Sequence, residues 1–197
     1  DLEPQKTAES IFAHRTGFPT ERVNSASELA QSAISIMDYE GRIVALVGGA
    51  GEKTQNRSNN RAVSAVRQPG SSIKPISIYA PAIEEDLITW SSMITNYGVQ
   101  WKGDIWPENY GGNPGSPDSK VSVQFALEIS YNTVPAQILF KSGLGFERSY
   151  DYLKNKFHIT TYNDSIDSVA PSSLVTGGSS GGVTTLQMAA AFATFGN

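Results

Sequence analysis

Two short apolar runs rich in β-branched residues, Ala33, Ile34, Ile36 and Met37 and then Ile43 to Val47, lie on either side of Asp38-Tyr39-Glu40-Gly41. Such runs around a short Gly-containing turn predict a β-hairpin. Gly48, Gly49 and Gly51 end the second strand, and a polar loop follows over residues 52–61. Beyond it the apolar spacing lengthens. Ile73, Ile76, Tyr79, Ala80 and Ile83 recur at helical intervals and predict a helix over Ser71 to Glu85, with Pro75 in its first turn and a kink or early end at Pro81. One hairpin followed mostly by helix predicts an α+β fold.

Further helices carry their own start and stop signals. Ser122 is placed to cap Val123 to Ile129, which stops at Ser130-Tyr131-Asn132, and Thr133 is placed to cap a second helix that holds Pro135 and runs to Gly143. Phe146 to Phe157 is amphipathic. Thr184 and Gln187 form a capping-box pattern for Leu186 to Phe195, with Gly196 as the stop. Residues 90–120 are rich in Gly, Pro and Asn and carry Trp90, Tyr97, Trp101, Trp106 and Tyr110. They predict an irregular excursion whose aromatics either wall a groove or anchor the loop to the core. Residues 1–30 read as a lead-in segment, with a short helix over Thr7 to His14 and a break at Gly17 and Pro19. Residues 31–197 form the domain proper.

Composition removes several function classes. The 15 Lys and Arg against 19 Asp and Glu give a net charge of −4, which excludes an electrostatic nucleic-acid binder. The absence of Cys removes thiol nucleophiles and Cys-based metal sites, while His14 and His158 lack ligand-spaced partners, so neither metal nor cofactor is expected. The longest nearly apolar runs, such as Leu186 to Phe195, are too short to span a bilayer. The chain opens at Asp1 without a basic-then-apolar leader, the pattern of a piece of a longer or processed polypeptide.

Ser71 and Lys74 stand three apart at the predicted helix start, so both side chains share one face. Serine is a poor nucleophile at its own pKa, and a lysine can take its proton only where burial and a positive environment leave the amine partly neutral. A helix N-terminus supplies that environment, and its free N–H groups can hold an oxyanion. Spacing alone is weak, since about one S-x-x-K is expected by chance in a chain of this composition. S-x-N occurs twice, at Ser58/Asn60 and Ser130/Asn132. Only the second lies between two predicted helices, and Ser58-Asn59-Asn60 reads as a surface turn.

Context decides. RQPGSSIKP (Arg67 to Pro75), preceded by Asn60-Arg61-Ala62, closely resembles the nucleophile segment of class A penicillin-binding proteins, the transpeptidases that cross-link peptidoglycan. MDYEGRIVALVGG (Met37 to Gly49) resembles the hairpin before it. ALEISYNTVPAQ (Ala126 to Gln137) is similar to the family's second motif, and LVTGGSSGGVTTLQMAAAFATFGN (Leu174 to Asn197) to its Gly-rich turn and following helix. The resemblance implies the penicillin-binding-protein transpeptidase or serine β-lactamase-like fold, an antiparallel sheet with a helical lobe. By position it makes Ser71 the acylated nucleophile, Lys74 its proton acceptor, Ser130 a proton relay to the departing amine, and Asn132 the group that binds the substrate's backbone amide.

The family's third motif, K-T-G, does not occur. Thr176-Gly177-Gly178 follows Val175, not Lys, and belongs to the Gly-rich turn. The chain is therefore expected to stop before the K-T-G strand, to hold a two-stranded sheet, and to need the segment carrying K-T-G as its partner; otherwise this piece is inactive. The resemblance further implies stem peptides ending in D-Ala-D-Ala and β-lactams as ligands. An outer-face location, through an upstream anchor and glycosyltransferase module, is implied as well. Without the E-x-x-L-N segment of class A β-lactamases, deacylation should be slow. The alternative is a β-lactam-binding sensor or non-catalytic penicillin-binding module.

Overall fold

The structure, a computed structural model, describes residues 2–20, 29–55 and 58–196. In chain order the elements are α1 (Leu2–His14), β1 (Ile34–Met37), β2 (Ile43–Val47), α2 (Arg61–Ser64), a 3-10 turn (Gly70–Ile73), a π-helical segment (Pro75–Tyr79) and α3 (Ala80–Glu84). Then come β3 (Met93–Tyr97), β4 (Val99–Trp101), β5 (Asp104–Trp106), β6 (Gly115–Ser122), α4 (Val123–Glu128), α5 (Thr133–Lys141) and α6 (Gly145–Asp151). A second π-helical segment (Tyr152–Lys156), α7 (Pro171–Val175), α8 (Thr185–Ala193) and a closing 3-10 turn (Thr194–Gly196) complete the order. The chain divides into two compact units, Asp1–Arg67 with Val183–Asn197, and Gln68–Gly182.

The first unit contains the expected hairpin. β1 and β2 pair antiparallel with Ile34 opposite Val47 and Ile36 opposite Ala45. Its turn is fixed by Asp38, whose Oδ1 accepts from the N–H groups of Glu40 (3.0 Å) and Arg42 (2.9 Å). α1 packs on β2 and α8 on β1. Gln5 of α1 acts as a strand surrogate, donating to Leu46 O (3.1 Å) and accepting from Leu46 N (2.8 Å). α8 opens with the full Thr184/Gln187 capping box. Asn60, read as part of a surface turn, instead caps α2 by accepting from Ala62 N.

In the second unit the segment Pro75–Tyr79 lies at the centre, with Ile76, Ser77, Ile78 and Tyr79 all buried. A helix buried all round sits inside the bundle rather than on its face. Here α5, α6 and α7 pack around it, α5 contributing Val134, Ile138 and Leu139, α7 Leu174, and α6 Ser149 and Tyr150, all buried. Each large aliphatic side chain buried in this cluster contributes about 1.5–3 kcal/mol.

The expected single helix over Ser71 to Glu85 is in fact three pieces, 3-10, π and α, and both prolines bear on the break. Pro75 has no N–H to give Ser71 O, which instead accepts from Lys74 N in a tighter turn. Pro81 removes the donor that would close on Ser77 O, and the buried hydroxyl of Ser149 takes that carbonyl at 2.7 Å.

Residues 90–120 depart further from expectation, and so does the predicted two-stranded sheet. β3 pairs with β6 and β4 with β5, so the described residues hold three two-stranded antiparallel sheets. The β4–β5 turn uses Lys102 (φ 51°) and Gly103 (φ 102°), both left-handed as a tight hairpin of this hand requires. Trp101 anchors the hairpin, its ring lying against those of Phe140 and Phe146 at 5.4 and 5.9 Å between centroids. Its other surroundings form a cleft with Lys102, Trp106, Ile166, Val169 and Pro171, so the aromatics both anchor and line. Among the described residues no helix is long and apolar enough to cross a membrane.

Candidate active site

α4 ends where the sequence places its stop, in a Schellman turn: Tyr131 N donates to Ala126 O (2.9 Å) and Ser130 N to Leu127 O (3.0 Å). The apolar contact that accompanies such turns is present too, with the Phe125 and Tyr131 rings edge to face at 6.1 Å. The position between helix and exit must adopt a left-handed backbone and is ordinarily glycine. Here it is Ser130, at φ 61°. A non-glycine residue held in that region costs on the order of 1 kcal/mol, and such strain clusters at functional sites.

Facing this bend is Lys74, 1% exposed. Its Nζ donates to Asn132 Oδ1 (2.7 Å), to Ser130 O (2.8 Å) and, at longer range, to Ser130 Oγ (3.3 Å). Among the described residues no carboxylate pairs with it. Burial without a counter-charge disfavours the ammonium and pushes the Lys74 pKa down to about 8. That is the condition the sequence argument set for a lysine able to accept a proton.

Ser71 sits in the 3-10 turn one step before Lys74, with its side chain exposed. Its hydroxyl makes no hydrogen bond to a described residue, so the structure joins Lys74, Ser130 and Asn132 directly and does not join Ser71 to them. All three ammonium hydrogens have acceptors. In the neutral amine one nitrogen valence becomes a lone pair, and the weakest partner, Ser130 Oγ, is the first to be released.

Thr133 does not cap α5 as expected. It is the first helical residue, its hydroxyl turned to Asn96 Oδ1 (2.6 Å), while the N-cap residue Asn132 makes no side-chain cap because its Oδ1 faces Lys74. The orphan N–H groups of Asn132 and Thr133 are met instead by Asn109 Oδ1, at 2.8 and 3.2 Å. Asn132 Nδ2 donates to Glu108 O (2.8 Å), and its second hydrogen has no acceptor among the described residues. Sequence reasoning missed Asn96 and Asn109, since a cap delivered from 23 residues away carries no local spacing.

The turn before Ser71 is held by the Gly-rich segment. Gly177, at φ 71°, lies so close to Gly70 that a Cβ would stand 2.2 Å from Gly70 O, and Gln68 Nε2 donates to Ser179 O at 3.1 Å. Behind it, buried Asp167 accepts from Ser173 Oγ (2.8 Å), Ser180 N (2.8 Å), Ser180 Oγ (3.0 Å) and Asn163 N (2.8 Å). Burial alone would raise this carboxyl, but the backbone and hydroxyl donors outweigh it and hold its pKa below the ordinary value.

Residues 32–197 match the family described as the penicillin binding protein transpeptidase domain. Penicillin-binding protein 1A of Clostridium acetobutylicum is 36% identical over 179 residues, covering 85% of this chain and 21% of the relative. Penicillin-binding protein 4 of Bacillus subtilis is 37% identical over 168 residues, covering 85% and 25%. The chain thus spans about a fifth to a quarter of these relatives' length. Among solved structures, penicillin-binding protein 1A of Haemophilus influenzae superposes with a TM-score of 0.66 at 28% identity, over 85% of this chain and 23% of that one. The PonA1 protein of Mycobacterium tuberculosis, in complex with penicillin V, gives 0.71 at 20% identity over 98% and 49%, a likeness of fold. With this match over most of its length, the chain belongs to the penicillin-binding protein transpeptidase family, in the company of the class A proteins, and carries that family's α+β fold.

Proposed function

We propose that this chain carries the acylation site of a D,D-transpeptidase that cross-links peptidoglycan stem peptides through a serine ester. The observation that carries the reading is the buried Lys74 amine, held by Ser130 and Asn132 with no carboxylate partner among the described residues and with its pKa down to about 8. At pH 7.5 roughly a quarter of such an amine is neutral and able to take the Ser71 proton.

The steps balance as follows. Ser71 Oγ bonds to the carbonyl carbon of the penultimate D-Ala while its proton passes to Lys74, and N–H groups of the first turn receive the oxyanion. The C–N bond then breaks. The departing D-Ala amine gains a proton from Lys74 by way of the Ser130 hydroxyl, leaving the Ser71 ester. An acceptor amine from a second stem attacks that ester, loses its proton by the reverse route, and returns Ser71 as the alcohol. The free hydrogen of Asn132 Nδ2 holds the substrate's backbone carbonyl. Penicillin-type β-lactams acylate the same serine, and the ester persists because water is poorly placed. The domain works on the outer face of the bacterial cytoplasmic membrane, within a protein that also carries a glycosyltransferase module and the K-T-G segment.

The test incubates the full-length protein with a fluorescent penicillin and reads intact mass. One adduct is expected on the parent and none on Ser71→Ala, followed by D-Ala release from a stem-peptide mimic. An adduct that survives Ser71→Ala overturns the assignment. An adduct without D-Ala release favours a sensor.

A further inference from the structure

The Lys74–Asn132 contact depends on which way the Asn132 amide faces, and nothing in Asn132's own helix fixes that. Two neighbours in a remote loop do. Glu108 O accepts from Asn132 Nδ2 at 2.8 Å, which leaves Oδ1 as the atom turned to Lys74. Asn109 Oδ1 accepts from the backbone N–H groups of Asn132 and Thr133, and lies 3.3 Å from Thr133 Oγ1. One dipeptide therefore holds Asn132 by its side chain and by its backbone together.

Asn109 is itself locked. It is 5% exposed, its Nδ2 donates to the buried Asn96 Oδ1 at 3.0 Å, and its own backbone closes a small turn with Asn113 (N–H to O, 2.8 Å). Thr133 Oγ1 donates to the same Asn96 oxygen, so Asn96, Asn109 and Thr133 form a closed buried polar network at the start of α5. Buried networks of this kind fix geometry when every member is satisfied. We propose that Asn109, backed by Asn96, is a positioning residue for the acylation chemistry. It acts through Asn132, setting the amide that accepts from Lys74 and the free N–H left for substrate. The inference rests on the reading of Ser71 as the acylated residue.

The charged groups around this path are few. Among the described residues the Lys74 ammonium donates only to the neutral Ser130 and Asn132, and Glu108 is exposed. A carboxylate placed at 109 would lie one residue behind the Lys74 contact and favour the ammonium.

The experiment compares the full-length parent protein with Asn109→Ala and Asn109→Asp. It measures the second-order rate of acylation by a fluorescent penicillin from pH 6 to 10, together with hydrogen exchange of the Asn132 and Thr133 amides. Asn109→Ala is expected to acylate about 10- to 100-fold more slowly, because small misplacements of a catalytic group carry losses of that order, and to lose protection at both amides. Asn109→Asp keeps the acceptor for both amides but gives up the Nδ2 donor to Asn96, so it is expected to retain amide protection and a plateau rate between those of the parent and Asn109→Ala, with the acid limb of its pH profile moved upward. Acylation by Asn109→Ala within twofold of the parent at every pH overturns the proposal. So do equal losses in both variants with an unmoved pH limb, the mark of a role in folding alone. If Asn109→Ala does not fold, the aspartate variant and its pH limb decide. If the parent forms no adduct at Ser71, the acylation reading fails, and amide exchange in the variants still decides whether Asn109 holds the start of α5.

Discussion

A buried ammonium with no counter-ion is a cost to the fold that function has to justify. Lys74 is such a group, and the neutral oxygens of Ser130 and Asn132 hold it without restoring its pKa. Ser130 bears a related cost, taking a left-handed backbone at a helix exit where glycine would be free of strain, so that a hydroxyl stands beside the amine. The sign of the pH effect follows. With Lys74 as the proposed proton acceptor the neutral amine is the active form, so the rate of penicillin acylation is expected to rise with pH through the Lys74 pKa and to level off above about 8. Lys74→Ala, measured under the same conditions, is expected to lose a factor of about 10²–10⁴, the range for a positioned general base. A parent profile flat from pH 6 to 9 would remove Lys74 from that role.

At the scale of elements, the Gly70–Ile73 turn that carries Ser71 owes its shape to contacts with other segments. The Gly-rich segment reaches Gly70 closely enough that the missing Cβ of Gly177 is a structural requirement, and its φ of 71° adds a second reason for glycine. Gly177→Ala is expected to destabilise the protein by about 2–4 kcal/mol, combining left-handed strain with a collision against Gly70 O. It should also slow the proposed acylation at Ser71, because the backbone that must move is the turn that carries Ser71. A thermal melt and the penicillin rate check both, and an unchanged melting temperature would contradict the contact.

Across the whole molecule two buried residues carry charge at neutral pH among the described residues, Lys74 and Asp167. They solve burial in opposite ways. The lysine is under-compensated and its pKa moves toward neutrality. The aspartate is met by backbone and hydroxyl donors from three segments, and its pKa moves away from neutrality. A carboxyl whose folded pKa lies below its unfolded value adds stability above about pH 4, lost as pH falls through the lower folded value. Asp167→Asn is therefore expected to cost about 2–4 kcal/mol in urea unfolding at pH 7. The gap to the parent should narrow at pH 3, and a gap of equal size at both pH values would contradict the ionic role.

Local signals survived into the structure where chain neighbours supply the physics. The β1–β2 hairpin, the Ser130-Tyr131-Asn132 exit and the Thr184/Gln187 capping box are each set by residues a few positions apart, and all three stand where their spacing puts them. β3 to β6 escaped notice because β3, β4 and β5 hold only three to five residues, β6 carries Gly115 and Pro117, a Lys-Gly turn joins β4 to β5, and β3 pairs with β6 partly across more than twenty residues. The break in the helix expected over Ser71 to Glu85 follows from Pro75 and Pro81, yet its stabilisation comes from Ser149, far along the chain. The residue types and order of Ser71, Lys74, Ser130 and Asn132 were determined by the sequence alone. Tertiary structure decided what they can do: it buried the lysine amine, turned the Asn132 amide, and brought Asn109 and Asp167 to their partners, because desolvation and remote hydrogen bonds exist only once distant segments meet.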